Sequence, residues 1–293
     1  MMFPLESVLA TNMVNIISLS LAFILIGLNV YLSSQVLNVT DLTCDASVAL
    51  GGCSYGVLTL CGIHPVVAFF VSVCFGAAAG FLTSSLVNNI KIEPVLASII
   101  ILTLLQTIIV KILDFGKIAA TGKDEVSVFA SFSAIDNAII TFVTVSVLFM
   151  FFLKMMNSEY GLAMRVYGDG QIISKSLGID TKGTLSAGLE IGNAFAAAAG
   201  ALVAQITGTF DVAMGGGAFV FGLAAIIIGN RLLLPGTIKA SVFGCLVGAV
   251  IYKVLTEVVT RMLGGSEYNS IAIAMALIFL IAIIQDSKTR RIT

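Results

Sequence analysis

Apolar runs of roughly membrane-crossing length, separated by short polar, glycine or proline clusters, fill almost the whole chain. A helix needs about 20 mostly apolar residues to cross a hydrocarbon core of about 30 Å. Reading the breaks predicts spans at 12–32, 46–62, 65–87, 94–113, 136–156, 183–206, 216–230, 237–259 and 269–285. Two of these nine, 46–62 and 216–230, are short and rich in glycine. The predicted fold class is therefore an all-α polytopic membrane protein.

Orientation follows from where lysine and arginine fall, because they accumulate on the cytoplasmic side. The loop 154–182 carries Lys154, Arg165, Lys175 and Lys182, and the tail carries Lys288, Arg290 and Arg291. Four predicted spans separate them, so both lie on one side, together with Lys91, Arg231 and Lys239. An odd total of nine leaves the N-terminus outside. Lys117 and Lys123 are the contrary charges, and acidic residues surround them.

The short segments also hint at internal symmetry. Asp41 precedes Pro65 by 24 residues, Asp211 precedes Pro235 by the same distance, and Gly52 falls on Gly222 at the shared offset of 170. Each window reads as a polar break, a short glycine-rich segment, then a proline opening a full span. Equivalent spans five crossings apart must be inverted, an arrangement found in transporters. The expected organisation of a single transmembrane domain, 1–293, is a first repeat at 12–113, a linking span at 136–156, a cytoplasmic loop at 157–182 and a second repeat at 183–285. Chance similarity of two glycine-rich stretches is the competing reading.

Composition sharpens this picture. The chain of 293 residues is 58% hydrophobic and 11% charged, with a mean hydropathy of +1.09. Soluble domains carry about 25% charged residues, so this chain lacks the charge to cover a water-facing surface. A net charge of −1 offers no basic face for nucleic acid. The five cysteines form no Cys-x-x-Cys pair, and no phosphate-binding glycine loop is present, since Gly122-Lys123 continues into Asp124. No catalytic triad or carboxylate pair stands at useful spacing, and no metal-ligand set surrounds His64, which precedes Pro65 at a span boundary and is read as a turn residue. The N-terminus, with Glu6 and no early lysine or arginine, lacks the charged start of a signal peptide.

The loop SEYGLAMRVYGDGQIISKSLGIDTKG is the most polar stretch. Within it, Asp169 and Gly170 precede Gln171–Leu177 and Gly178 follows, the residues that start and stop a short helix. A helix of about two turns is expected along the membrane surface, offering Ile172, Ile173 and Leu177 to a partner. By composition alone an ordinary connecting loop fits equally well.

Gly-Leu-Ala-Met-Arg at 161–165, Leu-Gly-Ile-Asp-Thr at 177–181 and the Ala/Gly-rich stretch from 188 to 208 together resemble the membrane permeases of bacterial ABC importers of the branched-chain amino acid and ribose type. Asp41-Leu-Thr resembles the Asp-Leu-Ser element of the sugar members, but the chain lacks their extra N-terminal span. The resemblance implies a fold like that of the vitamin B12 importers, with inverted halves and two permeases per transporter, as a homodimer or with a related permease. It makes Asp169, Gly170, Gln171, Ser174, Lys175, Leu177 and Gly178 a coupling helix that docks into a separate ATPase. ATP and Mg would bind there, with no cofactor on this chain and no covalent chemistry. An extracellular binding protein would deliver the solute, an amino acid of hydrophobic or aromatic type by the closer resemblance, in the bacterial inner membrane.

Candidates for the translocation path are the polar residues that interrupt the spans. Asp41, Thr43, Asp45 and Ser47 open the first short segment, and Gly215 and Gly216 open the second. Helix N-termini there would attract a substrate carboxylate. Glu190 and Asn193 lie one turn apart in span 183–206; a carboxylate at that depth costs about 2.5–3.5 kcal/mol unless it faces protein or water. Glu190 fits either the path or the cytoplasmic interface. Lys253 and Glu257, at i and i+4, read as a pair at the outer face. Gly76 with Gly80 and Gly244 with Gly248 fit close helix packing. The alternatives to an amino-acid importer are a sugar- or nucleoside-type ABC permease and an ion-coupled secondary transporter.

Overall fold

The computed structural model describes residues 5–120, 134–233 and 238–263. Ten α-helices occur in them: α1 (Leu5–Tyr31), α2 (Thr43–Leu60), α3 (Pro65–Ser85), α4 (Pro94–Ala120), α5 (Ala134–Met156), α6 (Glu159–Asp169), α7 (Gln171–Ser176), α8 (Thr181–Thr207), α9 (Ala218–Leu233) and α10 (Ile238–Leu263). α1 and α3 each run into a π-helical turn, Leu32–Val36 and Leu86–Ile90, and a 3₁₀ turn, Val212–Gly215, precedes α9. Helices stand at eight of the nine places where spans were expected. The ninth, 269–285, lies outside the described residues, as does the segment 121–133.

Among the described residues six helices are long and apolar enough to cross a membrane, and the apolar part of α10, Ala240–Thr256, is shorter. Local signals set their ends. His64 accepts from the Val66 N–H through Nδ1 ahead of Pro65, which has no N–H to satisfy, so α3 starts there. The expected turn role of His64 is its actual one. Asp180 accepts from the Lys182 N–H to start α8, and Gly208 stops it with φ +69°.

Burial divides the helices into an inner and an outer set. In the apolar windows of α1 and α8, 72% of residues are buried, against 33% in α3 and 28% in each of α4 and α5. The outer three turn Phe70, Phe81, Ile100, Phe142, Val147 and Met150 outward. Such a surface is stable against lipid or another membrane chain, not water.

Glycine lets the inner helices touch backbone to backbone. A Cβ on Gly51 would strike the Ala197 carbonyl oxygen, and one on Gly200 the Val48 carbonyl oxygen, so α2 and α8 cross there. Gly76 and Gly80 do the same for α3 against Asn193 and Leu189 of α8, and Gly248 for α10 against Ala225 of α9. Small residues replace the missing hydrophobic drive between helices in lipid by allowing this approach. The glycine-rich composition of α2 therefore has a packing cause: Gly52 leaves room for Met214 and Gly56 for Phe210, both from the segment leading into α9.

Candidate functional site

A buried polar seam joins α2, α3 and α8. Asp41 Oδ2 accepts from Asn193 Nδ2 at 2.7 Å, and its Oδ1 accepts from the Thr43 N–H at 3.0 Å. Asn193 donates also to the Leu189 carbonyl at 2.9 Å and accepts from Ser47 Oγ at 2.7 Å. Thr43 and Thr83 share a hydroxyl–hydroxyl bond of 2.8 Å. None of these five residues is more than 1% exposed. The asparagine amide thus meets a carboxylate, a hydroxyl and a carbonyl at once, satisfying most of its bonding capacity.

Glu190 stands apart from this seam. It is half-buried and accepts from Ser186 Oγ at 2.9 Å, and Ser186 pairs in turn with Ser84 on α3 at 2.7 Å. The hydroxyls of Thr83, Ser84 and Ser186 are members that sequence reading missed. Nothing in their spacing distinguishes them from the other serines and threonines that bond a carbonyl one turn back.

Asp45 crosses from α2 to the start of α9. Its Oδ1 accepts from the Phe219 N–H at 2.7 Å and its Oδ2 from the Gly217 N–H at 3.1 Å. The N-terminal amides expected to await a substrate carboxylate at α9 are therefore engaged by a carboxylate of the same chain. Gly215 presses on the Asp45 carbonyl, while Gly216 and Gly217 are exposed and Gly217 has φ +82°. Asp45→Ala should lower the melting temperature by several degrees, since loss of a helix cap costs about 0.5–2 kcal/mol. Asp45→Asn should recover part of it, because one carbonyl oxygen remains to accept; thermal unfolding in detergent measures both.

On the side carrying Lys91, Lys154, Lys175 and Lys182, α6 and α7 form an elbow. The chain turns at Gly170, and Ser174 Oγ reaches back to the Val166 carbonyl at 2.8 Å and the Gly170 carbonyl at 3.0 Å. Gln171 Nε2 donates to the Tyr167 hydroxyl at 2.9 Å; burial pushes the Tyr167 phenol above its usual range, so it stays neutral at physiological pH. α6 is an element the sequence reading treated as loop. Asp169 ends α6 and does not cap α7, whose N-cap is Gly170 and makes no side-chain bond. The helix ends at Ser176, with Leu177 its C-cap, one residue short of the expected end. Gly178 follows with φ +76° and donates its N–H to the Lys175 carbonyl at 3.1 Å.

Of the expected coupling residues, Ser174 is fully buried and fastens the elbow, whereas Ile172, Ile173 and Leu177 are 86%, 52% and 65% exposed. Lys91, Lys175 and Lys182 line one groove of about 570 Å³ beside it, with Tyr167 and Gln171. Three lysines expected on the cytoplasmic side thus share one place. Away from the elbow, between the middle of α1, the end of α8 and the second half of α10, lies a second cavity, of about 340 Å³.

A family model described as the permease component of branched-chain amino acid transport systems matches residues 12–283. The chain belongs to that family. As a permease it is a transport subunit and not a catalytic enzyme. It is 30% identical over 248 residues to a tyrosine transport system permease protein of Clostridioides difficile, covering 83% of the permease and 81% of that relative. It is 22% identical to the galactofuranose transporter permease protein of Escherichia coli, over 85% of the permease and 72% of the relative. A solved metal-chelate type ABC transporter in an inward-facing conformation superposes on 92% of the permease and 85% of its own chain, with a TM-score of 0.58 at 17% identity. That likeness is one of fold, and it agrees with an ABC permease architecture of packed membrane helices.

Proposed function

We propose that this ABC permease imports an amino acid across a bacterial cell membrane. An extracellular binding protein hands it the solute, and a separate ATPase that holds ATP and Mg drives it. Two permease copies, or one copy and a related chain, enclose the path, with the buried Asp41, Thr43, Ser47 and Asn193 seam, Asp45, Glu190, Gly215 and Gly216 shaping each half. In each copy the first repeat, 12–113, and the inverted second repeat, 183–285, tilt against each other about that path. The amino-acid reading draws on the tyrosine-transport relative, at 30% identity. The galactofuranose relative favours the second reading, a sugar, at lower identity.

One observation carries the coupling role: α7 and its C-cap Leu177 leave three apolar side chains exposed, while the one buried residue of α7, Ser174, fastens it to α6. An exposed apolar face of this kind is stabilised by a partner groove, as in other helix-in-groove recognition. Asp169 and Gly170 set the elbow, Gln171 and Ser174 hold it, and Lys175, Leu177 and Gly178 flank the face that meets the ATPase.

Ile172→Glu should lower co-purification of the ATPase at least tenfold and stop uptake, with the permease still inserted and folded. Gly178→Pro should leave ATP hydrolysis running without uptake. Proline fixes φ near −65° and has no N–H, whereas this position holds φ +76° and donates to Lys175. Normal uptake in either variant would remove α7 from the coupling route.

A further inference from the structure

The cavity of about 340 Å³ away from the elbow lies between α1, the end of α8, the 3₁₀ turn and α10. Its wall is aromatic. Phe23 and Phe221 meet edge to face with centroids 4.8 Å apart, and Phe221 and Tyr252 do the same at 4.9 Å. Tyr252 itself is only 2% exposed and backs this wall. Charges of both signs border the same space: Lys253, whose Nζ stands 4.4 Å from the Phe23 ring centroid, and Asp211, which is exposed. Lys253 was expected to do no more than pair with Glu257, whose side chain lies outside the described residues.

Each property narrows the guest. Ligand pockets start at about 300 Å³, so this one holds a single small solute. Aromatic rings prefer edge-to-face or offset contacts at centroid distances of about 4.5–7 Å, and a wall already built that way favours another ring. A positive and a negative group on one rim match a zwitterion, carboxylate to Lys253 and ammonium to Asp211. A polyol would need many free hydrogen-bonding groups instead. Here the Thr207 hydroxyl is already bonded to backbone carbonyls, and the Thr209 hydroxyl donates to it.

We infer that this cavity is an outer reception site for an aromatic amino acid, its ring against Phe23, Phe221 and Tyr252 and its charged end between Lys253 and Asp211. The site rests on the amino-acid reading above and adds a place and a side-chain class to it.

The test is equilibrium binding of radiolabelled L-tyrosine to the full chain in lipid nanodiscs, with tyramine, which lacks the carboxylate, as competitor. Ala213→Trp fills the cavity from an exposed rim position and should weaken L-tyrosine at least tenfold. Lys253→Gln should weaken L-tyrosine about tenfold and tyramine less than twofold, a split that general loosening of the fold would not produce. Unaltered binding in Ala213→Trp, an equal loss of both ligands in Lys253→Gln, or no L-tyrosine binding by the unsubstituted chain each overturns the site. ATP-dependent L-tyrosine uptake by cells carrying the unsubstituted chain decides separately whether the amino-acid reading stands. Uptake of galactose with no amino acid taken up overturns both.

Discussion

Asn193→Leu should abolish the folded permease or leave it unfolding at far lower temperature. Leucine is close in size, so the loss is of bonding and not of volume. Asp41 Oδ2 and Ser47 Oγ would each lose the partner now at 2.7 Å, in a seam no more than 1% exposed that water does not reach. Each buried polar atom left unpaired costs about 1–3 kcal/mol, and more for a charged one. Two such atoms consume a large part of a stability that is generally about 5–15 kcal/mol. The exchange Asp41→Asn with Asn193→Asp keeps a carboxylate facing an amide and should restore much of the loss. Size-exclusion profiles and thermal unfolding in detergent measure both. A stable single variant would show that the seam contributes little, and a double variant no better than the single would show that the two residues do not act as a pair.

Gly200→Val should be at least as damaging, for the opposite reason. A Cβ there falls on the Val48 carbonyl oxygen, and the next nearest atoms are also backbone. Neither side has a flexible side chain that could swing aside, so α2 and α8 must separate. Overpacking of a tight core costs about 1–3 kcal/mol, and more where backbone must move. Separation also pulls Ser47 from Asn193, so the two losses add. Gly170→Ala is the control: its Cβ meets only the Ile173 side chain at 3.6 Å, and its φ of 163° is extended backbone open to any residue. Yield of monodisperse protein from membranes should fall sharply for Gly200→Val and hold for Gly170→Ala.

Spans were legible because lipid imposes a strict demand: length and apolarity are written in consecutive residues. His64, Asp180 and Gly208 act over one turn of helix and could likewise be anticipated. The elbow was only half visible. α7 has glycines on both sides, but only two residues separate α6 from the end of α5, and its surface is too polar for a span. Its burial depends on Gly161 against the Met156 carbonyl and Gly168 against the Val36 carbonyl, contacts that exist only once the helices are assembled. The polar interruptions of the spans were visible in the sequence, but their pairings were not. Asp41 finds Asn193 across 152 positions and Asp45 finds Phe219 across 174, distances over which the order of residues carries no signal. The two acidic groups that open the first short segment are the counterparts of a buried amide and a helix start.

The contact of Gly168 with the Val36 carbonyl has a mechanical consequence. Val36 ends the π-helical turn that continues α1, and the same rod carries Phe23 on the wall of the second cavity. With no side chain to cushion the join, a push on the elbow from below has little slack to absorb it. In the coupling route proposed above, the stroke would travel along this one rod and arrive at an aromatic ring on the wall of that cavity.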